Sequence, residues 1–302
     1  MQRLMKLLRE SIFHAMWQAM RQAVQQAMQH DVLNTAKAAA YSGILMLFPA
    51  LLLLTTALAV VPEGNTLLDQ LRVGAEQFLP SDTMSLLQSY FQSRRLHSFS
   101  LAISALALSG YAALGVMLSL MEGFRRAYRL PRNDWGFWGL RIRALMLGPL
   151  ALVPLSAATL LLIFGHPIEQ WMIANATHEL RAVVLLVWRL ARWLLAMLTT
   201  VVVLGTVYHF GTRRREHWAW VAPGAVASTL IWFPETLAFG WYLTRRADYS
   251  IIYGSLSAGI ATLVWLYLTS LSILMGAELN GVLFRARLEN CEDVVTDLRR
   301  KP

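Results

Sequence analysis

The sequence predicts an all-α polytopic membrane protein with six transmembrane helices, and two observations carry this prediction. Of the 302 residues, 56% are hydrophobic and 15% are charged, whereas about a quarter of the residues in an ordinary soluble domain are charged. In addition, six stretches reach the length of about 20 residues that a helix needs to cross about 30 Å of hydrocarbon. These predicted spans are 38–61, 99–121, 144–165, 183–210, 218–243 and 251–277.

The segment before the first span, residues 1–35, has the pattern of an amphipathic helix. Apolar residues recur there at helical spacing, with Gln and Arg on the other side. We expect this helix to lie on the cytoplasmic leaflet, where basic residues meet anionic headgroups. The alternative is a helix packed against the protein's own cytoplasmic face. The apolar positions are Leu4, Leu8, Ile12, Ala15, Ala19, Ala23 and Ala27.

The positions of the basic residues predict the topology. With a cytoplasmic N-terminus, nineteen of the 27 Lys and Arg residues fall in inside segments and eight fall outside. This bias favours cytoplasmic termini, and the short loop Gly211–His217 is its most informative piece. The predicted organisation is an interfacial helix (1–35), a six-helix domain (36–285) with an outside helical loop (62–98), and a cytoplasmic tail (286–302).

Composition and motif spacing exclude several functional classes. The single cysteine, Cys291, permits no intramolecular disulfide and no cysteine metal cluster. None of the three lysines follows a phosphate-binding glycine loop, and the seven histidines form no HExxH pair. We therefore expect no catalytic residue, no metal and no cofactor, and we do not expect an enzyme or a nucleic-acid partner. The first 35 residues lack a cleaved secretory signal, so the first span should direct insertion.

Two carboxylates are predicted at the inner boundary of the membrane. At about 1.5 Å per residue, Glu122 lies about 35 Å from Phe99 and Glu278 lies about 39 Å from Ile252. Both distances exceed the hydrocarbon thickness of about 30 Å. We therefore expect both acids among the cytoplasmic headgroups, facing water or paired with nearby arginines. The other residues predicted at this boundary are Asn280, Arg125, Arg126, Arg141 and Arg143.

A third carboxylate, Glu235, is predicted much deeper in the membrane. It lies about 22 Å along the fifth span from Trp220, beside Pro234. Arg192, on the preceding span, falls at a similar depth, and Arg189 lies one turn away. A charge at this depth is costly and usually functional, so we expect Glu235 and Arg192 to form an ion pair. The alternative places the acid in an outside vestibule or turn.

Small residues recur every three or four positions along the sixth span. Such a stripe lets membrane helices pack closely, and close packing is the first interpretation of this pattern. The alternative is that part of the stripe lines a polar path. Its small residues include Gly254, Ala258, Ala261, Ser272 and Gly276, with Trp265 and Thr269 at the same spacing.

Several segments resemble the YihY/virulence factor BrkB family of bacterial inner-membrane proteins, once labelled ribonuclease BN. These segments are AAAYSGILMLFP (38–49), APGAVAS (222–228) with Trp232, Phe239 and Tyr242, and YGSLSAGIATLVWLYL (253–268) followed by GAELN (276–280). The resemblance implies a six-span protein of the bacterial inner membrane and no established catalytic residue. Some family members are associated with export of lipid-type envelope material. The segment YHFGTRR (208–214) departs from the family pattern, which commonly has a proline there.

Two functions from different classes agree with these features. The first is a transporter or flippase-like protein for an amphiphilic or anionic envelope lipid or small molecule, because the third and fifth spans contain prolines that should break them around a cavity. The second is a non-transporting scaffold that organises the envelope through its N-terminal helix and flat helix faces. Membrane lipids with anionic headgroups are the expected partners, and the chain is also expected to form a homo-oligomer.

Overall fold

The computed structural model describes residues 2–60, 99–131, 136–175, 181–212, 217–245 and 256–300, and the expected short helices within 62–98 lie outside these ranges. The described residues form seven α-helices and no strand, which confirms the all-α class. The helices are α1 (Gln2–Gln29), α2 (Val32–Val60), α3 (Phe99–Ala127), α4 (Gly136–Asn175), α5 (Arg181–Gly211), α6 (Trp218–Arg245) and α7 (Ser257–Arg300).

Within the described ranges, five helices are long and apolar enough to cross a membrane, namely α2, α3, α4, α5 and α7. Helix α6, which matches the fifth predicted span, has 28 residues and is therefore long enough to span as well. Its many tryptophan, proline and glycine residues lower its hydropathy, and it is not among the five. A sixth span and the orientation of the chain therefore stay predictions.

Helix α7 occupies the centre of the described structure. Helices α2 to α6 pack in series, each against the next, and α7 packs between α2 and α6. It also contacts α1 and α3. The segment from Leu274 to Val282 is largely buried, because helices approach it from several sides. Small residues at the contact positions, such as Gly276 and Gly281, allow this close approach.

Two helix ends bring polar groups together at one end of the molecule. Asp31, with φ 59°, separates α1 from α2, and its carboxylate accepts a hydrogen bond from Asn34 (2.7 Å). Helix α3 ends at Ala127, and Arg129, with φ 52°, follows two residues later, where Leu130 N donates to Arg125 O (2.9 Å). This is the bond pattern of a Schellman cap. Arg126 Nη1 then donates to the His30 carbonyl (3.2 Å), so the two helix ends are held together.

Helices α4 and α6 run without interruption through their prolines, so the expectation that these prolines break the helices is wrong. Pro149 and Pro154 lie inside α4, and Pro223 and Pro234 lie inside α6. A proline removes one backbone N–H, but a membrane helix tolerates this loss where neighbouring groups satisfy the freed carbonyl. The structure therefore offers no broken helix here as an argument for a cavity.

Helix α1 packs its alanine face onto the rest of the protein. Ala19, Ala23 and Ala27 are buried, and the first two cluster with Leu279 and Val282 of α7. This geometry agrees with the alternative in which α1 packs on the protein itself. A neighbouring face stays exposed and apolar, so α1 also offers a surface to lipid. The exposed apolar residues on α1 are Met16, Trp17, Val24 and Met28.

Candidate functional site

Helices α6 and α7 are in close backbone contact at Gly224 and Gly276. A Cβ atom built on either glycine would overlap the carbonyl oxygen of the other. Asn280, one turn further along α7, is 1% exposed, and its side-chain amide both accepts a hydrogen bond from α6 and donates one to it. It accepts a hydrogen bond from Gly224 N (2.7 Å), and its Nδ2 donates to the Val221 carbonyl (3.0 Å). The side chain therefore locks the two helices in register.

The buried phenol of Tyr208 joins α5 to the same contact. Its hydroxyl donates to the Ile273 carbonyl (2.6 Å) and lies 2.7 Å from Ser228 Oγ. Ser228 Oγ in turn donates to the Ser272 carbonyl (2.9 Å). These bonds satisfy hydroxyl groups that would be costly to bury alone. Together with Gly224, Gly276 and Asn280, they form what we call the packed polar cluster.

Glu278 lies at the edge of this cluster and is completely buried. Its carboxylate oxygens lie 2.8 and 3.0 Å from Nδ1 of His30, at the end of α1. The donated proton comes from a charged imidazolium or from the neutral Nδ1–H tautomer. The expectation that Glu278 faces water or pairs with Arg125, Arg126, Arg141 or Arg143 is therefore wrong. The reason is that α1 covers the acid, which a depth calculation along a single helix cannot reveal.

Glu122, in contrast, pairs with nearby arginines as expected. It accepts hydrogen bonds from Arg125 Nε (2.8 Å) and Nη2 (2.7 Å) and from Arg126 Nε (3.0 Å). Its side chain is 36% exposed, so water screens these ion pairs. Arg141 and Arg143 lie on α4, and the Arg141 guanidinium stacks over the Phe137 ring, 3.5 Å from its centroid.

Glu235 and Arg192 do not form the expected ion pair, although both residues belong to the described structure. Glu235 Oε2 instead accepts a hydrogen bond from Ser272 Oγ on α7. Trp193 and Phe233 meet edge to face at 5.5 Å, so α5 and α6 do touch at this level. Because two residues turn a helix by about 200°, a helix that presents Phe233 to α5 presents Glu235 elsewhere.

Both groups keep buried atoms without partners. Among the described residues, the buried side-chain atoms that have no hydrogen-bond partner are Arg192 Nε, Arg192 Nη1 and Glu235 Oε1. We call Arg192 and Glu235 the unpaired ionisable groups. Unsatisfied buried polar atoms are rare in folded proteins, so each one calls for an explanation.

The remaining predicted residues are placed as follows. Ser272 faces α6 together with Thr269, which accepts a hydrogen bond from Trp232 Nε1 (3.1 Å), and Ala261 is buried. These contacts agree with the packing interpretation of the small-residue stripe. Arg189 and Ala258 lie in α5 and α7, but their side chains are outside the described part, and Gly254 lies outside it altogether. No group of three or more His, Cys, Asp and Glu side chains in the described residues could hold a metal.

Four residues of the packed polar cluster and its edge are not among the site residues predicted from the sequence. They are His30, Tyr208, Gly224 and Ser228. Gly224 and Ser228 are small residues spaced by four, which is the usual signal for close packing of membrane helices. Gly276 and Ser272 have the same spacing on α7, so this signal was available. No local pattern marks His30, because its partner lies 248 residues away.

Comparison with known proteins gives a family for the chain. A sequence model described as virulence factor BrkB matches residues 23–294. A protein named ribonuclease-like protein YfkH, from Bacillus subtilis, is 26% identical over 85% of this chain and 92% of its own length. A UPF0761 membrane protein from Chromohalobacter salexigens is 26% identical over 83% of this chain. Another, from Nitrosospira multiformis, is 23% identical over 87% of it.

The lengths of these relatives differ from one another. The match spans only 59% and 60% of the two UPF0761 proteins. No solved structure matches the chain. The family match covers most of the sequence and agrees with the apolar helices of the fold, and the chain therefore belongs to the virulence factor BrkB family of integral membrane proteins.

Proposed function

We propose that the protein crosses the bacterial inner membrane six times, with α6 as the fifth span and with both termini in the cytoplasm. Supporting contacts gather predicted inside segments at one end of the molecule. Arg126 of α3 lies 3.9 Å from Asp31 in the α1–α2 turn. Arg285 of α7 donates to the Ala127 carbonyl (2.7 Å), and the Arg287 guanidinium lies over the Trp220 ring. The positive-inside bias makes this end cytoplasmic.

The function we propose is that of a transporter or flippase-like protein. One observation carries this proposal. Arg192 and Glu235 keep unpartnered buried atoms within helices whose residues are mostly apolar. Ionisable groups within membrane segments are expensive and usually mark a pathway for a substrate or an ion. A purely structural role would favour either a completed ion pair or apolar side chains at these two positions.

The proposed substrate class is an amphiphilic or anionic envelope lipid or small molecule. The end of the molecule assigned to the cytoplasm is rich in arginine, including the exposed Arg21. Exposed tryptophans mark the same end, as expected where a bilayer meets water. Trp17 is 59% exposed and Trp138 is 72% exposed. Anionic headgroups are the partners that such a surface would attract. We do not extend the name ribonuclease-like from YfkH to this chain.

The second candidate is a non-transporting scaffold, which forms a homo-oligomer through its flat helix faces. A specific observation favours it, because α4 and α6 are unbroken and α6 is locked to α7 by the packed polar cluster. A rigid bundle with exposed apolar faces can organise lipids or other copies without moving any solute.

A lipid-movement assay separates the two candidates. Purified protein is placed in vesicles that contain fluorescent phosphatidylglycerol, and dithionite bleaches the label in the outer leaflet. The transport proposal predicts that wild-type protein exposes the inner-leaflet label, and that Glu235→Gln and Arg192→Gln slow this exposure about tenfold or more. Glu122→Gln is the matched control, because Glu122 is an ion-paired boundary acid, and it should keep the wild-type rate.

Two outcomes would overturn the transport proposal. In the first, wild-type vesicles bleach no further than vesicles without protein, for phosphatidylglycerol and for a phosphatidylcholine probe, which favours the scaffold. In the second, Glu235→Gln and Arg192→Gln move lipid as fast as wild type, which removes the unpaired ionisable groups from the pathway.

A further inference from the structure

The carboxyl group of Glu235 has one uncharged hydrogen-bond partner and no cation beside it. Ser272 Oγ donates to Oε2, and Oε1 is buried without a partner. A single neutral hydroxyl does little to offset the cost of taking an ionised carboxylate out of water. Two or three hydrogen bonds or a close cation are needed to make the charged form favourable.

The helices packed around Glu235 supply few charged groups. Helix α7 carries none between Ser257 and Ala277, and Glu235 itself is the one charged residue of α6 before Arg245. On α5, the nearby charged residues are Arg189, whose side chain is outside the described part, and Arg192. Arg192 is adjacent to Trp193, whose ring contacts Phe233. The Arg192 guanidinium is thus a cation on the neighbouring helix at the level of Glu235, and it is not bonded to Glu235.

We propose that Glu235 is a proton-binding site and that the proton it carries is the coupling ion of transport. In the arrangement seen here, the carboxyl is neutral and accepts the Ser272 hydrogen bond. Release of its proton to water leaves a carboxylate, which then pairs with the Arg192 guanidinium. The total charge is conserved, because a neutral acid and a free guanidinium become an ion pair and a released proton. The coupling role rests on the proposed transport function, whereas the proton site does not.

The two forms of Glu235 need different contacts with the neighbouring helices. The neutral form keeps the bond to Ser272 of α7. The ionised form needs the part of α6 around Glu235, which lies beyond the packed polar cluster, to turn or shift until the carboxylate reaches α5. The Trp193–Phe233 contact already holds α5 and α6 together at this level. Proton exchange at Glu235 is therefore linked to a movement of this part of α6 between α5 and α7. Alternating-access transport requires a structural element of this kind, which can adopt two alternative positions.

Infrared difference spectroscopy on the full-length protein in lipid tests the proton site directly. The spectrum of Glu235→Gln is subtracted from that of wild type at neutral pH. We expect the loss of the C=O stretching band of a protonated carboxylic acid, and this band should shift in deuterium oxide. The matched control is Glu122→Gln, which should instead lose a carboxylate band, because Glu122 is paired with two arginines. Loss of a carboxylate band in the Glu235→Gln difference would overturn the proton site.

Arg192→Gln tests the second half of the inference by the same measurement. Without the guanidinium, the ionised form of Glu235 loses its partner. The pH at which the Glu235 C=O band disappears should therefore rise by about one unit or more relative to wild type. An unchanged pH would show that Arg192 does not receive the carboxylate.

The coupling role has its own readout. A proton gradient directed into the vesicles should accelerate movement of the fluorescent phosphatidylglycerol by wild-type protein. The same gradient should not change the rate of movement by the Glu235→Gln variant. A proton site in the infrared spectrum without any lipid movement would contradict the transport proposal and leave the site standing. Lipid movement that does not respond to the gradient would contradict the coupling role alone.

Discussion

The packed polar cluster joins α5, α6 and α7, whereas the unpaired ionisable groups lie on two of these helices, α5 and α6. The two regions differ in how completely their buried polar atoms are hydrogen-bonded. In the cluster, Asn280, Tyr208 and Ser228 find partners across α5, α6 and α7, and the buried Glu278 is bonded to His30. Nearer the other end of α6, Glu235 has one hydroxyl donor, and two nitrogen atoms of Arg192 have no partner. Satisfied polar groups fix a fold, whereas unsatisfied ones cost stability and persist where a function needs them.

The comparison predicts that substitutions in the first region reduce stability and that substitutions in the second region reduce function. The largest effect is expected for His30→Ala, because it leaves the fully buried Glu278 without its hydrogen-bond donor. Removing one partner of a buried pair costs about 3 kcal/mol or more. The free energy of unfolding in detergent, from denaturant titration, should fall by this amount.

A double-mutant cycle sharpens this prediction. In the double variant His30→Ala with Glu278→Gln, the buried group is neutral, so much of the lost stability should return. If His30→Ala changes the unfolding free energy by less than about 0.5 kcal/mol, the pair does not hold α1 against α7.

A smaller loss is expected for Gly276→Ala. The added Cβ would overlap the Gly224 carbonyl oxygen and the Ser228 hydroxyl, so α6 and α7 must separate. Overpacking of this kind costs about 1–3 kcal/mol. Gly259→Ala is the matched control on the same helix, because no atom lies within 4 Å of its added Cβ. The Gly259→Ala control should leave the free energy of unfolding unchanged or raise it slightly, since alanine has a higher helix propensity than glycine. Equal effects of the two substitutions would refute close packing at Gly276.

Much of the fold could be predicted from the sequence because bilayer thickness fixes the length of apolar runs. Five of the predicted spans correspond to apolar helices, and Gly276 and Ser272 of the predicted stripe do face α6. Counting residues along a helix also placed Glu235 and Arg192 at neighbouring levels of α5 and α6. It could not give the direction in which Glu235 points, because this depends on how α6 is rotated against its neighbours.

The contact between His30 and Glu278 shows a second limit of prediction. It joins the end of α1 to the middle of α7, and no local sequence pattern around either residue predicts the other as its partner. The helical spacing of α1 indicated an apolar face, but it did not distinguish lipid from α7 as the surface that this face covers. Such long-range choices depend on the packing of the whole bundle.

The smallest effect on stability and the largest effect on function are both expected for Glu235→Gln. Glutamine keeps the shape and still accepts the Ser272 hydrogen bond, so the unfolding free energy should change by less than about 1 kcal/mol. The direct test of the central claim measures unfolding and phosphatidylglycerol movement on the same preparation. The account predicts wild-type stability with lipid movement slowed about tenfold or more. A large loss of stability, or wild-type lipid movement, would contradict the claim that Glu235 is kept for function and not for folding.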